Sequence, residues 1–529
     1  MISATGNIQE VHIVGNILGG DGRESGSIRA NGKVEKVTVD QDVLGGDGDD
    51  SGSISGDSFV TENGRFGGNV GTVVIHGNLM GGVGSNSGSV GSGGTMGTVT
   101  VDGNIQGGQG DFSGSVISGR TINKVTVGGM LQGGIGTLSG VIESDGDGAA
   151  GNIGTISVTG TILGGQGNNS GSIFGSGGIT SVIVGAITGG GGTYSGGVSA
   201  EQSIGTLTVN GNVLGSSGDE AGKIAIGGSV TTLTINGNVT GSTGVFTTSD
   251  TGAFLGQIYV GGTLKTGTIN GDLVGGGIST GGDYSGTIRA GAIQVLTING
   301  DVVGGNGPNS GSIEAFKSDI GSLTVTGSVT AGSAADTGRI AAARNIGTVS
   351  VDSLVGSSTQ RAVIEAKGVI VPKTNADAMT IQSVTVLSSM TDADIKAGYG
   401  LLDFPQNPDA QIGKVTVGRT GQTSGLFSNS NIVAGAGPGL DGRFGTADDP
   451  PASADVSSAS IISKIVSVII NGTVTNPGNA GGPLPYGIVS QQVNSVVIAG
   501  VSITLQAGPS NDNVTLSSTT TTIFEVPLT

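Results

Sequence analysis

Two clusters of aspartates lie in glycine-rich segments and carry the residue types that bind hard cations. The clusters contain Asp47, Asp49 and Asp50 in one segment and Asp441, Asp448 and Asp449 in the other. Calcium takes six to eight oxygen ligands from carboxylates and backbone carbonyls, and each loop offers both. We predict that both clusters bind calcium. The alternatives are a solvated glycine turn and an exposed acidic loop, neither of which binds metal.

Both clusters resemble calcium-type motifs of secreted bacterial proteins. Gly45–Asp50 matches GGxGxD, the calcium-binding repeat of RTX proteins, but that loop recurs every nine residues in RTX proteins and about every 26 here. The segment Leu440–Pro450 resembles the DGxFGTxDDP motif of large secreted bacterial surface proteins. This second resemblance implies that Asp441, Asp448 and Asp449 hold calcium.

Residues for catalysis are sparse. The two histidines are His12 and His76, and His76 takes a corner position that other repeats fill with Asp102 or Asn210. No Ser-His-Asp set, zinc site or phosphate-binding loop is recognisable, so we assign no catalytic residue. Enzymes of the pectate-lyase-like type would need paired carboxylates, or a carboxylate with Arg or Lys, on one face. The irregular region from Gly356 to Pro451 is where such a site would lie.

A repeat of about 26 residues positions all of these residues. Self-similarity at a period of 20 to 50 residues indicates a solenoid or a propeller. The second apolar residue of an alternating run marks each repeat: Ile13, Val39, Ile75, Val101, Val127, Val158, Val184, Val209, Ile235, Ile269, Ile298, Val325, Val351, Val386, Val417, Ile470 and Ile498.

Each repeat contains three short apolar segments, which we call the first, second and third columns. In one repeat the first column is Val99 and Val101, the second is Ile105 after a Gly-Asn corner, and the third is Val116 after a Ser-Gly step. Period-2 alternation bounded by glycine predicts strands. Glycine and β-branched residues disfavour a helical solenoid, and a propeller blade needs about 40 residues.

The predicted fold is therefore all-β: a right-handed parallel β-helix, or β-solenoid, of about 17 coils with three short strands each. We expect the corner glycines, such as Gly77 and Gly103, to adopt positive φ where the chain bends. The asparagines that follow them, such as Asn78 and Asn104, should hydrogen-bond the backbone of the neighbouring coil. We predict a regular solenoid over 1–355, irregular coils with long loops over 356–460, and terminal coils with a capping strand or linker over 461–529.

Composition restricts the partners. The chain has 109 glycines, 3% aromatic residues and a formal net charge of −18, which repels phosphate backbones and anionic lipid. We therefore predict neither nucleic-acid binding nor membrane insertion. The sequence lacks cysteine, and neither a signal peptide nor an apolar run near 18 residues is recognisable.

The repeat pattern as a whole resembles the β-solenoid surface and secreted proteins of bacteria, including adhesin stalks and surface layers. This resemblance implies a non-enzymatic structural or adhesive module, a rigid rod in a larger extracellular or cell-surface protein, stabilised by calcium. Its partners would be neighbouring domains, further copies stacked end to end, or a cell-surface or glycan ligand. The alternative is a polysaccharide lyase or hydrolase, and a minor one is ice binding by outward threonines such as Thr98 and Thr100.

Overall fold

A computed structural model describes residues 1–56, 68–146, 148–242, 254–276, 284–357, 359–401, 403–452, 458, 460–476, 485–516 and 520–528. It is nearly all β, with 48% strand and 1% helix, and its mostly parallel strands stack as a β-solenoid of about 16 turns. The predicted fold class is confirmed. The right-handed winding stays a prediction.

First-column strands are typically six residues long. They span Ile8–Ile13, Val34–Val39, Val70–Ile75, Met96–Val101, Ile122–Val127, Ile153–Leu163, Ile179–Thr188, Ile204–Val209, Val230–Ile235, Ile258–Ile269, Ile288–Ile298, Ile320–Thr330, Ile346–Val355, Met379–Val386, Gln411–Val417, Lys464–Ile470, Gln492–Val493 and Val496–Ile498. The longer members also include the second-column or third-column strand of the same turn.

Second-column strands are two to four residues long: Ile17–Leu18, Val43–Leu44, Leu79–Met80, Ile105–Gln106, Leu131–Gln132, Val213–Leu214, Val239–Thr240, Leu273–Val274, Val302–Val303, Ser389–Thr391, Gly425–Ser428 and Gly472–Thr475. Third-column strands have three to five residues: Ile2–Ala4, Ile28–Ala30, Ile54–Gly56, Val90–Ser92, Val116–Ser118, Ile142–Ser144, Ile173–Gly175, Val198–Ala200, Ile224–Ile226, Ile313–Ala315, Arg339–Ala342, Ala362–Ala366, Ala393–Ala397, Asn431–Ala434, Tyr486–Ser490 and Thr521–Glu525.

Four further elements complete the described chain. Val501–Ser502 and Asn513–Thr515 pair antiparallel with the last first-column and third-column strands. A 3-10 turn covers Gly148–Gly151, and the helix Asn375–Ala378 begins with a capping box formed by Thr374 and Asp377. Loops therefore interrupt the β-structure without adding a second fold class.

Contacts divide the chain into two compact units. One comprises Met1–Lys265 with Gly276–Thr287, and the other comprises Thr266–Gly275 with Ile288–Thr529. The boundaries predicted at 355 and 460 stay predictions.

The core consists of equivalent apolar residues stacked from turn to turn. Val73, Val99 and Val125 are register partners in successive strands, and each is fully buried. The same holds for Leu79, Ile105 and Leu131, the neighbouring second-column strands. Full burial of one such side chain stabilises the fold by roughly 1.5–3 kcal/mol. The sequence repeat thus produces the core directly, because each turn supplies the same shape to the next.

The corners form the predicted hydrogen-bonded ladder. Asn78 Oδ1 accepts from Asn104 N at 2.9 Å, and Asn104 Oδ1 accepts from Met130 N at 2.8 Å. Other corners use the same acceptor position in the same way: Asp42, Asn212, Asp272 and Asp301.

The predicted positive φ at the corner glycines is wrong. Gly77 and Gly103 are absent from the described residues that have positive φ. Glycine is needed at the corner for space instead, because a Cβ on Gly103 would lie 2.5 Å from Asn78 Oδ1. The Asn78 side chain that forms the ladder therefore leaves no room for a side chain at position 103.

Positive φ occurs in a turn centred on a buried serine. Phe112 and Gly114 have φ of 57° and 60° and flank Ser113. Ser113 Oγ accepts from Gly108 N at 2.9 Å and donates to the Gly110 carbonyl at 2.6 Å, which closes the glycine-rich loop. The hydroxyls that accept the equivalent backbone bond belong to Ser25, Ser51, Ser87, Ser139, Ser170, Ser195, Ser285, Ser310 and Thr337.

Candidate functional site

The first aspartate cluster forms part of one serine-centred turn. Asp49 Oδ1 accepts from Ser85 N at 2.9 Å, in the next turn of the solenoid. Asp50 accepts from Asn86 Nδ2 at 3.1 Å and from Arg23 Nε at 3.3 Å. Burial raises the pKa of Asp50, and these two partners act to lower it. Two of the three aspartates therefore join adjacent turns, while Asp47 is exposed.

The second cluster forms a closed loop between Gly435 and Ala452. The loop is closed at its base by the hydrogen bond from Ala452 N to the Gly435 carbonyl, at 2.9 Å. Inside it, Asp448 Oδ2 accepts from Leu440 N at 2.7 Å and from Asp441 N at 3.4 Å. This carboxylate therefore stabilises the turn that contains Asp441.

Asp449 is the buried acceptor of the same loop. Its Oδ2 accepts from Gly445 N at 2.7 Å and from Thr446 N at 3.3 Å, and its Oδ1 accepts from Gly439 N at 3.3 Å. Burial raises the pKa of Asp449 to about 6, although these donors act to lower it. The exposed Asp448 differs, since the hydrogen bond from Thr446 Oγ1 and three backbone N–H groups lower its pKa.

These hydrogen bonds occupy the carboxylate oxygens that a calcium ion would need. A bound cation needs carboxylate lone pairs directed at it, whereas the loop directs most of those of Asp448 and Asp449 at N–H groups. Among the described residues, no group of three or more His, Cys, Asp or Glu side chains is placed to hold a metal ion. As described, the residues do not form a calcium-ligand set, so binding at Asp441, Asp448 and Asp449, or at Asp47, Asp49 and Asp50, would require the loops to rearrange.

The histidines take part in pairs between adjacent turns. His12 Nε2 lies 2.8 Å from Asp40 Oδ1, and His76 Nδ1 lies 2.7 Å from Asp102 Oδ2. All four side chains are more than a third exposed and lie at or beside the corners. Their arrangement suits a contact between turns, in keeping with the interpretation of His76 as a corner residue.

Buried charges instead gather on third-column strands of the second unit. Glu365 and Lys396 are register partners in neighbouring strands, and they are 1% and 3% exposed. Lys396 Nζ pairs with Glu365 Oε2 at 3.5 Å and with Asp403, while Glu365 also pairs with Arg339. Burial raises the pKa of Glu365. Burial acts to lower the pKa of Lys396, but the carboxylates of Glu365 and Asp403 outweigh this effect and raise the pKa of Lys396 above its usual value.

A second charged group lies beside the first. Arg361 Nε donates to Asp394 Oδ2 at 2.8 Å, and Arg361 Nη2 donates to the carbonyls of Ala393 and Asn429. Asp394 Oδ1 accepts from Asn431 Nδ2 at 2.7 Å. Glu365 thus has two cations, and Asp394 has a cation and a further polar partner, which offsets the cost of burying these charges.

Two loops wall the space above these charges. One follows the strand Ala393–Ala397 and is closed where Gln406 N donates to the Gly398 carbonyl at 2.7 Å. The other is the aspartate loop, which follows Asn431–Ala434. They meet where Tyr399 Oη donates to the Ala436 carbonyl at 2.7 Å and the rings of Tyr399 and Phe444 pack edge to face.

The result is an open cleft of about 570 Å³, which we call the unit-two cleft. It is lined by Arg361, Asp394, Lys396, Tyr399, Asp403, Phe404, Pro405, Asn431, Pro438, Asp441, Gly442, Arg443, Phe444, Pro485 and Tyr486. The sequence predicts a candidate enzyme site in this region, but among these residues it gives a role only to Asp441. Charge at the outward position of the third-column strand does not single out the cleft, because Arg29, Glu143, Arg289 and Glu314 occupy the same position in other repeats.

The outward threonines form rows across adjacent strands. Thr206 pairs with Thr232 and Thr208 with Thr234. The rows are interrupted by residues of other shape or charge, including Val74, Lys124 and Ile183. This face therefore lacks a uniform threonine surface.

Comparison with protein families, with curated proteins and with solved structures found no match. Within the described ranges, no helix has the length and apolar character needed to cross a bilayer.

Proposed function

We propose that this chain is a non-enzymatic structural or adhesive module of a secreted or cell-surface protein. The observation that supports the proposal is the use of polar side chains to join turns. Asparagine and aspartate link the corners, and buried serine hydroxyls close the glycine-rich loops. Each of these groups satisfies backbone atoms that a folded solenoid would otherwise leave without partners.

Location tests this proposal. Antibodies against the folded chain should label intact producing cells or recover the chain from the culture medium. Labelling only after the cells are permeabilised, with none of the chain in the medium, would contradict it. Negative-stain electron microscopy of the purified chain tests the further proposal that copies or neighbouring domains stack end to end.

Calcium stabilisation is a separate proposal, supported by the resemblance of Leu440–Pro450 to a calcium-type motif. Thermal unfolding in calcium chloride and in EDTA should differ for the native chain, and the difference should vanish in Asp441→Asn. Identical melting temperatures in both solutions would eliminate it.

A polysaccharide lyase or hydrolase is the second candidate, and the unit-two cleft favours it. Carboxylates, two arginines, a lysine and two tyrosines lie together in one cleft, as such enzymes need. The pairing of Asp394 with Arg361 and of Asp403 with Lys396 favours the structural proposal, since each carboxylate already has a cation as its partner. Only the enzyme candidate predicts that a glycan is broken down.

A further inference from the structure

The unit-two cleft presents rings at an open surface. Phe404 is 62% exposed, so a large apolar ring faces solvent here. The cleft lining also includes Pro405, Tyr486 and the buried rings of Tyr399 and Phe444. These flat apolar surfaces suit a ligand that has at least one apolar face.

The charges of the lining cancel. Arg361, Lys396 and Arg443 are opposed by three aspartates, namely Asp394, Asp403 and Asp441. The whole chain carries a formal charge of −18, so an anionic polymer approaching this cleft meets net repulsion and finds no local positive surplus. A polyanion or a uronic-acid chain is therefore a poor match for the cleft, whereas an uncharged polar ligand meets no electrostatic repulsion.

The polar groups of the cleft are held in place before any ligand arrives. Three hydrogen bonds fix Arg361 through Nε and Nη2, and its guanidinium also lies 5.4 Å from the ring centroid of Tyr486. Lys396 Nζ lies 4.9 Å from the Tyr399 centroid. Because these side chains are already ordered, binding costs less conformational entropy than it would at a flexible surface.

From this geometry we propose that the unit-two cleft binds a neutral pyranose oligosaccharide. A pyranose ring carries C–H groups on its faces and hydroxyls around its rim. The faces pack on Phe404 and Tyr486, and the hydroxyls meet the exposed carboxylates of Asp403 and Asp441 and the guanidinium of Arg443. The volume of about 570 Å³ lies within the usual range of ligand pockets, roughly 300–1,000 Å³. The inference rests on the proposed adhesive function and names the site and the ligand class that would serve it.

A glycan microarray that carries neutral hexose oligosaccharides beside sialylated and uronic-acid glycans tests the proposal with the full chain. We expect neutral oligosaccharides to bind. Titration calorimetry with the strongest of them should show binding weakened about tenfold or more by Phe404→Ala, as expected when one aromatic contact is lost. Leu440→Ala is the matched control, because Leu440 is fully exposed on the aspartate loop outside the cleft lining. It should leave the affinity unchanged.

Three results would overturn the proposal: no neutral glycan binds, only acidic glycans bind, or Phe404→Ala binds as well as the native chain. In those cases the proposed structural function stands, since it does not depend on this cleft. If a neutral glycan binds and is also broken down, the cleft assignment stands and the non-enzymatic function fails.

Discussion

Removing one buried hydroxyl tests how the serine-centred turn stabilises the solenoid. Ser113 is fully buried, and its hydroxyl satisfies both the N–H of Gly108 and the carbonyl of Gly110. Ser113→Ala removes both bonds, but the Gly110 carbonyl still accepts from the backbone N of residue 113 at 3.3 Å, so only the half-buried N–H of Gly108 loses its partner. One unsatisfied group costs about 1–3 kcal/mol, and with the weakened bond to Gly110 we expect a local loss of about 1.5–3 kcal/mol.

Hydrogen exchange measured by mass spectrometry suits this prediction better than a melting temperature, because repeat proteins lose stability locally. Peptides covering 104–118 should exchange at least tenfold faster in Ser113→Ala, since about 1.4 kcal/mol corresponds to a factor of ten. Ser113→Thr should restore protection, because Thr337 makes the same two hydrogen bonds in its own turn. Ser217→Ala, in an exposed position of an equivalent loop, is the control. Unchanged exchange in Ser113→Ala would refute the role given to the hydroxyl.

Two further predictions concern packing and pH. Gly107→Ala should lower the free energy of unfolding by about 1–3 kcal/mol in a urea titration, because its Cβ would lie 2.6 Å from the Ser139 carbonyl carbon. The control is Gly22→Ala, whose Cβ would have no atom within 4 Å and which should change the free energy of unfolding by less than about 0.5 kcal/mol. Equal effects of the two variants would contradict this reasoning. Burial raises the pKa of Asp449 from 3.8 to about 6, so the folded loop binds a proton on this carboxyl more tightly than the unfolded chain does. Protonation of Asp449 therefore adds about 3 kcal/mol to the stability of the fold. This contribution is complete below pH 3.8 and is lost as the pH rises through 6. NMR of chains labelled at the aspartate carboxyls, assigned with Asp449→Asn, should show this midpoint near 6, and a midpoint near 4 would contradict it.

The fold was predictable because one apolar pattern recurs about every 26 residues. Val99, Val101, Ile105 and Val116 were assigned to the interior from alternation alone, and all four are fully buried. The Asn104 ladder was predictable as well, since the side chain of an asparagine that follows a corner glycine can reach the next turn.

The role of the corner glycines was not predictable from one repeat. Whether a glycine supplies positive φ or empty space depends on what the neighbouring turn places against it, and for Gly103 that is the side chain of Asn78. The turn serine shows the same limit. Ser113 and Ala221 occupy equivalent positions, but Ala221 packs against Leu255 and makes no side-chain hydrogen bond.

The unit-two cleft could not be predicted from the sequence for a different reason. Lys396 occupies an outward position of a third-column strand and is 3% exposed, and the equivalent Ser55, Ile117 and Glu143 of other repeats are buried as well. The loops that wall the cleft have lengths and sequences outside the repeat, so periodicity says nothing about where they pack.

A measurement of glycan breakdown tests the central proposal most directly. The folded chain is incubated with the neutral oligosaccharides of the array and with uronic-acid polymers, and reducing ends and unsaturated products are quantified over time. A non-enzymatic module predicts the same product level as buffer alone. Product that accumulates with time above that level would contradict the proposal and establish an enzyme.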